Sequence, residues 1–211
     1  MRTHLIATAA LLLAFLLPPA ATPCAGRPSP PSEGSGEVIP PEGPGEVSES
    51  VFASVARFAP IASVFALKAC GVEGASSWKR LAVNSAASLV ISYGTTWVLK
   101  YAIHEERPDH SDCHSFPSGH TTVAFAGAHV LCKEYARKSP WIAVAGYGVA
   151  AAVAADRVAQ DRHHWQDVCA GAAIGILGTE LGYWLGDRLT GERSRYSVSV
   201  GPQSVAMVIS F

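Results

Sequence analysis

Three short stretches between Lys100 and Asp167 hold the side chains of this chain that are best suited to chemistry. Cations, histidines and a carboxylate follow one another there in order, together with a turn that contains glycine. The stretches are residues 100–108, 117–120 and 157–167. A phosphoryl group in transfer spreads negative charge over its oxygens, so positioning and cationic stabilisation dominate its chemistry. The three stretches therefore indicate phosphoryl transfer without a metal ion.

Five residues of these stretches have properties that suit the binding of a phosphate. Arg107 and Arg157 carry planar guanidinium groups that can each hold two oxygens, and Lys100 adds a point charge. Ser118 and Gly119 come directly before an apolar run with helical character. We expect their backbone N–H groups to face an anion at the helix N-terminus, where glycine allows close approach.

Three further residues suit the covalent steps. His163 can attack phosphorus through one ring nitrogen if a carboxylate holds the other, and Asp167 follows one helical turn later. His120 suits a general acid that protonates the leaving oxygen. Taken singly, each of these residues would be an ordinary loop or helix residue. Their combination in three ordered stretches is what predicts a site.

The three stretches resemble the motifs of the type 2 phosphatidic acid phosphatase (PAP2) superfamily. That pattern is Lys-x6-Arg-Pro, then Pro-Ser-Gly-His, then Ser-Arg-x5-His-x3-Asp. The matching residues are Lys100, Arg107, Pro108, Pro117, Ser118, Gly119, His120, Arg157, His163 and Asp167. One position departs from the pattern, since Asp156 stands where the family usually has Ser. The resemblance implies a phosphohistidine intermediate on His163, His120 as acid and base, and no cofactor or metal.

The composition of the 211-residue chain favours a membrane protein. Charged residues make up 16%, below the quarter that is usual in soluble domains, and hydrophobic residues reach 49%. The formal net charge of -1 gives no reason to expect a nucleic-acid partner.

Four parts follow one another along the chain. Residues 1–25 have the pattern of a signal peptide or anchor, and residues 26–50 that of a flexible linker rich in Pro, Gly and Ser. Residues 51–190 form the predicted PAP2-like phosphatase domain. Residues 191–211 alternate in polarity, which predicts a short C-terminal β-hairpin of unknown role.

Five apolar segments predict an all-α fold, a helical bundle of about five core helices with the site on one face. They are Val51–Cys70, Leu81–Ile103, Thr121–Tyr135, Trp141–Ala155 and Val168–Leu185. A membrane span needs about 20 apolar residues, which the second and fifth segments provide, whereas the third and fourth are short. If the segments alternate across a bilayer, the basic loops lie on one side and the three motifs on the other. The positive-inside rule then predicts an inner-membrane protein with a periplasm-facing site.

This location predicts a membrane-embedded lipid phosphate or pyrophosphate as the substrate. Examples are undecaprenyl pyrophosphate, phosphatidate, phosphatidylglycerol phosphate and a lipid A phosphate. The main alternative is a soluble periplasmic acid phosphatase, since the superfamily includes such enzymes. A vanadium haloperoxidase has the same motifs but is usually much longer, and a non-catalytic binding protein is expected to have lost one of the two histidines.

Two smaller interpretations concern polar and cysteine residues. Residues 109–114 contain Asp, His and Cys, but their spacing matches no closed zinc pattern, so we interpret them as a polar loop that faces the substrate. Cys113 and Cys169 fall on the same side in the alternating arrangement. A disulfide between them is therefore a hypothesis for an oxidising compartment.

Overall fold

The computed structural model describes residues 51–110 and 112–191, and the backbone of residues 196–201 and 204–209. The predicted signal segment and linker lie outside the described residues. A helical segment at 51–56 precedes five longer helices. These are α1 (Ala59–Ala69), α2 (Trp78–Ala102), α3 (Gly119–Tyr135), α4 (Pro140–Ala159) and α5 (Trp165–Thr190). The all-α prediction is therefore confirmed for the bundle that carries the motifs.

The C-terminal tail follows the bundle as two backbone strands. They are β1 (Tyr196–Gly201) and β2 (Ser204–Ile209), which pair antiparallel with Val198 opposite Met207. The bundle that positions the motifs ends at Thr190, before the two strands begin. The predicted accessory hairpin therefore stays a prediction.

Local sequence signals set the helix ends. The Ser77 hydroxyl accepts the backbone N–H of Arg80 at 3.2 Å and caps the start of α2. The Asp167 carboxylate accepts the backbone N–H of His164 at 2.9 Å and so caps the start of α5. Gly191 ends α5 with a φ of 70°, a left-handed conformation that glycine adopts without a steric penalty.

Helix α3 lies at the centre of the bundle and contacts α1, α2, α4 and α5. Its second half places Val130, Leu131 and Tyr135 in a core with Val64 and Leu81. Close packing of these side chains gains many small van der Waals contacts. This core fixes the axis of α3, and with it the second motif at the start of the helix.

Helices α2 and α5 pack closely because small residues face one another. Ser88 and Ser92 of α2 lie against Gly182 and Gly178 of α5. A Cβ atom at Gly182 would lie 2.5 Å from the Cα of Ser88, so only glycine fits there. Lys100 of the first motif lies near the end of α2 and Asp167 of the third motif lies near the start of α5, so this contact sets the distance between these two residues.

Two helices among the described residues, α4 and α5, are long and apolar enough to span a membrane. The fourth apolar segment was expected to be short, but its helix extends to 20 residues. The second segment was expected to fit a span, and it forms α2, which is not among the candidate spans. The reason is its polar inner face, on which Asn84, Ser88 and Ser92 are buried.

Candidate active site

The three predicted motifs meet at one end of the bundle, where α2 and α4 end and α3 and α5 begin. They surround a cavity of about 200 Å³. Its lining residues are Arg57, Tyr93, Thr96, Trp97, Lys100, Arg107, Gly119, His120, Arg157 and His163. Six predicted site residues thus line one cavity, while Ser118 and Asp167 are fully buried outside its lining.

His163 has the surroundings of a nucleophile. It lies in the turn between α4 and α5, is only 4% exposed, and its Nδ1 lies 3.4 Å from Oδ2 of Asp167. Because the carboxylate faces Nδ1, Nε2 is the nitrogen left for attack. Burial lowers the pKa of His163, and the hydrogen bond with Asp167 opposes that effect. The imidazole therefore stays neutral, which is its nucleophilic form.

Asp167 is held from several directions, so its carboxylate is fixed. Its Oδ2 accepts a short hydrogen bond from the Ser115 hydroxyl and another from the backbone N–H of His164. The Ser115 hydroxyl also lies 3.5 Å from Nδ1 of His163. Ser115 thus joins the predicted nucleophile and its carboxylate in one buried network through Oδ2, while Oδ1 of Asp167 is buried without a hydrogen-bond partner among the described residues.

Each predicted cation is held by a neighbour. Nε of Arg107 lies 2.9 Å from Oδ1 of Asp112, and Nζ of Lys100 donates to the carbonyl oxygen of His114. The Arg157 guanidinium lies 2.7 Å from Asp156, the residue that departs from the family pattern. Asp156 therefore orients Arg157 through an ion pair, at the position where the family usually has a serine hydroxyl.

His120 lies in the first turn of α3 and lines the cavity. The described residues that line this cavity include no carboxylate. Burial, followed by the positive charges of Arg57 and Arg157, lowers the pKa of His120 to about 3. A bound phosphate dianion would neutralise these charges and raise that pKa. His120 would then accept and donate its proton only when substrate is in place.

One predicted phosphate contact differs in the structure. The backbone N–H of Ser118 donates to the carbonyl oxygen of Asp167 at 3.1 Å instead of facing the cavity. This bond joins the second motif to the third. Gly119 does line the cavity, so the N-terminal turn of α3 still approaches the place where an anion would bind.

Ser115, Tyr93 and Trp97 are among the residues near the cavity that sequence reasoning missed. Ser115 precedes the second motif by two residues, and only the fold shows that its hydroxyl reaches Asp167. Tyr93 and Trp97 form an aromatic wall two turns and one turn before Lys100, with ring centroids 6.1 Å apart. Their spacing from Lys100 places them on the same face of a helix as Lys100, and this spacing was the sequence signal that could have indicated them.

Residues of the polar loop have structural partners. Asp112 pairs with Arg107, and His110 Nδ1 lies 2.7 Å from a carboxylate oxygen of Glu106. The hypothesis of a Cys113–Cys169 disulfide is wrong, because Cys169 is a free thiol on the exposed side of α5.

One cluster of the described residues has donor atoms close enough for a metal. Donor atoms of Glu105, His164 and Asp167 lie within 4.8 Å of one another. None of the three lines the cavity. Asp167 Oδ2 already accepts hydrogen bonds from Ser115 and His164, so a metal would compete with the network that orients His163.

A solved structure shares the fold of this chain. The crystal structure of Aquifex aeolicus LpxE superposes with a TM-score of 0.50 at 22% identity, covering 65% of this chain and 84% of that one. A transmembrane PAP2 type phosphatidylglycerolphosphate phosphatase from Bacillus subtilis has a TM-score of 0.41 at 20% identity, covering 70% and 89%.

Comparison with curated sequences adds a relative of known activity. The lipid A 1-phosphatase of Porphyromonas gingivalis is 37% identical over 145 residues, or 68% of this chain. That match covers 33% of the relative, so the chain spans about a third of its length. The family model of the PAP2 superfamily matches residues 81–190, which contain all three motifs. The chain therefore belongs to the PAP2 superfamily.

Proposed function

We propose that this protein is a metal-independent phosphatase that hydrolyses lipid phosphate or pyrophosphate esters through a phosphohistidine on His163. The observation that carries the proposal is the shared cavity: His163 and His120 both line it, together with Lys100, Arg107 and Arg157. A nucleophile, an acid and three cations around 200 Å³ are what phosphoryl transfer requires.

The first half-reaction transfers the phosphoryl group to the enzyme. Lys100, Arg107 and Arg157 hold the phosphoryl oxygens and neutralise the charge that spreads over them. Nε2 of His163 forms a bond to phosphorus while the bond to the leaving oxygen breaks. His120 gives that oxygen a proton, and Asp167 stabilises the positive charge that develops on the His163 ring.

The second half-reaction returns the enzyme to its starting state. His120 is now neutral and takes a proton from water as the water oxygen attacks phosphorus. The bond between phosphorus and His163 breaks, and inorganic phosphate leaves. The proton balance closes, because the proton that His120 gives to the leaving group is replaced by the proton that it takes from the attacking water.

Apolar outer surfaces support a lipid substrate and a membrane location. Trp141 of α4 is 75% exposed, and Leu181 and Trp184 of α5 are 55% and 56% exposed. Beside the cavity, Trp97 and Tyr101 stack with ring centroids 5.2 Å apart, and aromatic side chains of this kind favour the boundary between lipid and water. The curated relative acts on lipid A, as its name states.

We place the protein in the bacterial inner membrane with the cavity facing the periplasm. Lys79, Arg137, Lys138 and Arg188 lie at the end of the bundle opposite the cavity, which the positive-inside rule assigns to the cytoplasm. Arg80 does not contribute to this argument, because it is buried against Asp187 at 2.7 Å.

Phosphate release by the purified protein tests the proposal. The panel pairs undecaprenyl pyrophosphate, phosphatidate, phosphatidylglycerol phosphate and lipid A with p-nitrophenyl phosphate, in detergent and without added metal. We expect strong preference for a lipid. Preference for p-nitrophenyl phosphate by a protein that stays in solution without detergent would favour a soluble acid phosphatase instead. No release from any substrate would contradict the proposed function.

A further inference from the structure

A fourth cation, Arg57, lines the cavity and belongs to none of the three motifs. It lies in the turn between the helical segment at 51–56 and α1, outside the residues that the family model matches. Helix α1 packs tightly on α3, since a Cβ atom at Gly127 would lie 2.9 Å from the backbone nitrogen of Ile61. This packing holds α1 against α3, and Arg57 lines the cavity together with His120 of the first turn of α3.

Arg57 differs from the other cations in its partners. Lys100, Arg107 and Arg157 each have an oxygen partner. Among residues 51–110 and 112–191, Arg57 forms no ion pair, and its Nε is buried without a hydrogen-bond partner. Its guanidinium carbon lies 4.6 Å from the centroid of the Phe58 ring. A buried donor without a partner is costly, so this group is suited to an anion that is brought by the substrate.

The position of Arg57 indicates which part of the substrate it meets. The three motif cations surround the phosphoryl group that moves to His163. Arg57 and His120, which donates its proton to the leaving oxygen, line the same cavity, and α1, which follows Arg57, packs on α3, which carries His120. Arg57 therefore lies on the side of the leaving group.

We propose that Arg57 is a specificity residue that binds a second phosphate beyond the scissile bond. This inference rests on the proposed phosphatase function. With a lipid pyrophosphate, His163 takes the terminal phosphoryl group, the bond from phosphorus to the bridging oxygen breaks, and His120 protonates that oxygen. The leaving group is then a lipid monophosphate, whose negative charge Arg57 neutralises. A lipid monophosphate offers no such charge, because its leaving group is a neutral alcohol.

The test compares undecaprenyl pyrophosphate with undecaprenyl phosphate, which share one lipid tail. We expect wild-type protein to have the higher kcat/KM on the pyrophosphate. Arg57→Gln should lower kcat/KM on the pyrophosphate by about 10- to 100-fold, the range for a lost charged hydrogen bond. Its effect on the monophosphate should stay below about threefold. Lys138→Gln is the matched control, since it removes one positive charge at the exposed, opposite end of the bundle.

Arg57→Lys separates charge from packing. The lysine keeps the charge but loses the planar fork, so we expect a smaller loss on the pyrophosphate and none on the monophosphate. Equal losses on both substrates in both variants, or no loss in either, would overturn the role of Arg57. Failure of wild-type protein to release phosphate from either substrate would instead contradict the proposed function.

Discussion

Oδ2 of Asp167 lies 3.4 Å from Nδ1 of His163. The same oxygen accepts the backbone N–H of His164 and caps α5. The carboxylate that orients the predicted nucleophile is thus also part of the capping box at the start of α5. The charge of Asp167 acts on His163, whereas its hydrogen-bond acceptor caps α5. A substitution that keeps the acceptor and removes the charge can distinguish the two roles.

Asp167→Asn should keep the cap and remove the charge. The amide oxygen still accepts the His164 N–H, so we expect little change in thermal stability. Loss of the charge should lower kcat by about 10²- to 10⁴-fold, as for other carboxylates that orient a catalytic histidine. Asp167 opposes the effect of burial on His163, so its removal lowers the pKa of His163 further. The acid limb of kcat/KM should then move to lower pH, which a pH–rate profile measures.

Ser115→Ala is the milder companion to that variant. It removes one hydrogen bond to Asp167 and leaves the charge, so a loss of about tenfold is expected. A loss as large as that of Asp167→Asn would mean that Ser115 itself takes part in the reaction.

His163→Ala should abolish turnover, with a fall of about a thousandfold or more. Rapid quenching at alkaline pH with a labelled phosphoryl group should trap an alkali-stable, acid-labile adduct on wild-type protein and none on the variant. His164→Ala is the control, since His164 does not line the cavity. Full turnover by His163→Ala would exclude it as the nucleophile.

His120→Ala should discriminate between leaving groups. An alkyl alcohol needs a proton to leave, whereas p-nitrophenolate leaves readily without one. We expect the variant to lose far more activity on a lipid phosphate than on p-nitrophenyl phosphate, in a comparison of kcat/KM values. Equal losses on both would contradict the role of general acid.

Chelation should leave activity intact, and vanadate should inhibit. Chelation should have no effect because cations line the cavity at the place where a metal enzyme would have its metal ligands. Vanadate should inhibit because it can adopt the geometry of the phosphorus atom under attack. Phosphate release with EDTA and with increasing vanadate tests both expectations. Loss of activity on chelation that a divalent ion restores would instead point to Glu105, His164 and Asp167 as ligands.

Gly171→Ala should destabilise the protein and lower its activity. A Cβ atom there would lie 2.6 Å from the carbonyl oxygen of Ser118, so α5 and the second motif would have to separate. Such overpacking costs about 1–3 kcal/mol. Gly148→Ala is the matched control, because no atom lies within 4 Å of its Cβ position, and helix propensity favours alanine there by up to about 1 kcal/mol. Thermal unfolding in detergent measures both.

Sequence predicted the parts of the site whose identity depends on local spacing. Lys100, Arg107, His120 and His163 could be assigned because each stands at a fixed distance from its motif neighbours. Apolar segments placed four of the long helices correctly, with their ends shifted by a few residues.

Other features could not be predicted, because they depend on contacts between distant segments. Arg57 lies far upstream of the first motif, and only the packing of α1 on α3 brings it to the cavity. In the sequence, the polar residues of α2 only interrupt an apolar segment. In the fold, they lie against the glycines of α5. Ser118 donates to Asp167 because the fold puts the second and third motifs side by side.

The contact of Ser88 and Ser92 with the glycines of α5 has a consequence for assembly in a bilayer. In the hydrocarbon of a bilayer, the hydrophobic effect does not drive two helices together. Their association depends instead on close backbone approach and on interhelical hydrogen bonds. Serine and glycine also lose little side-chain entropy on packing. We expect α2 and α5 to associate within lipid through this contact. The contact contains no catalytic residue, yet it brings Lys100 of α2 and Asp167 of α5 to the same end of the bundle.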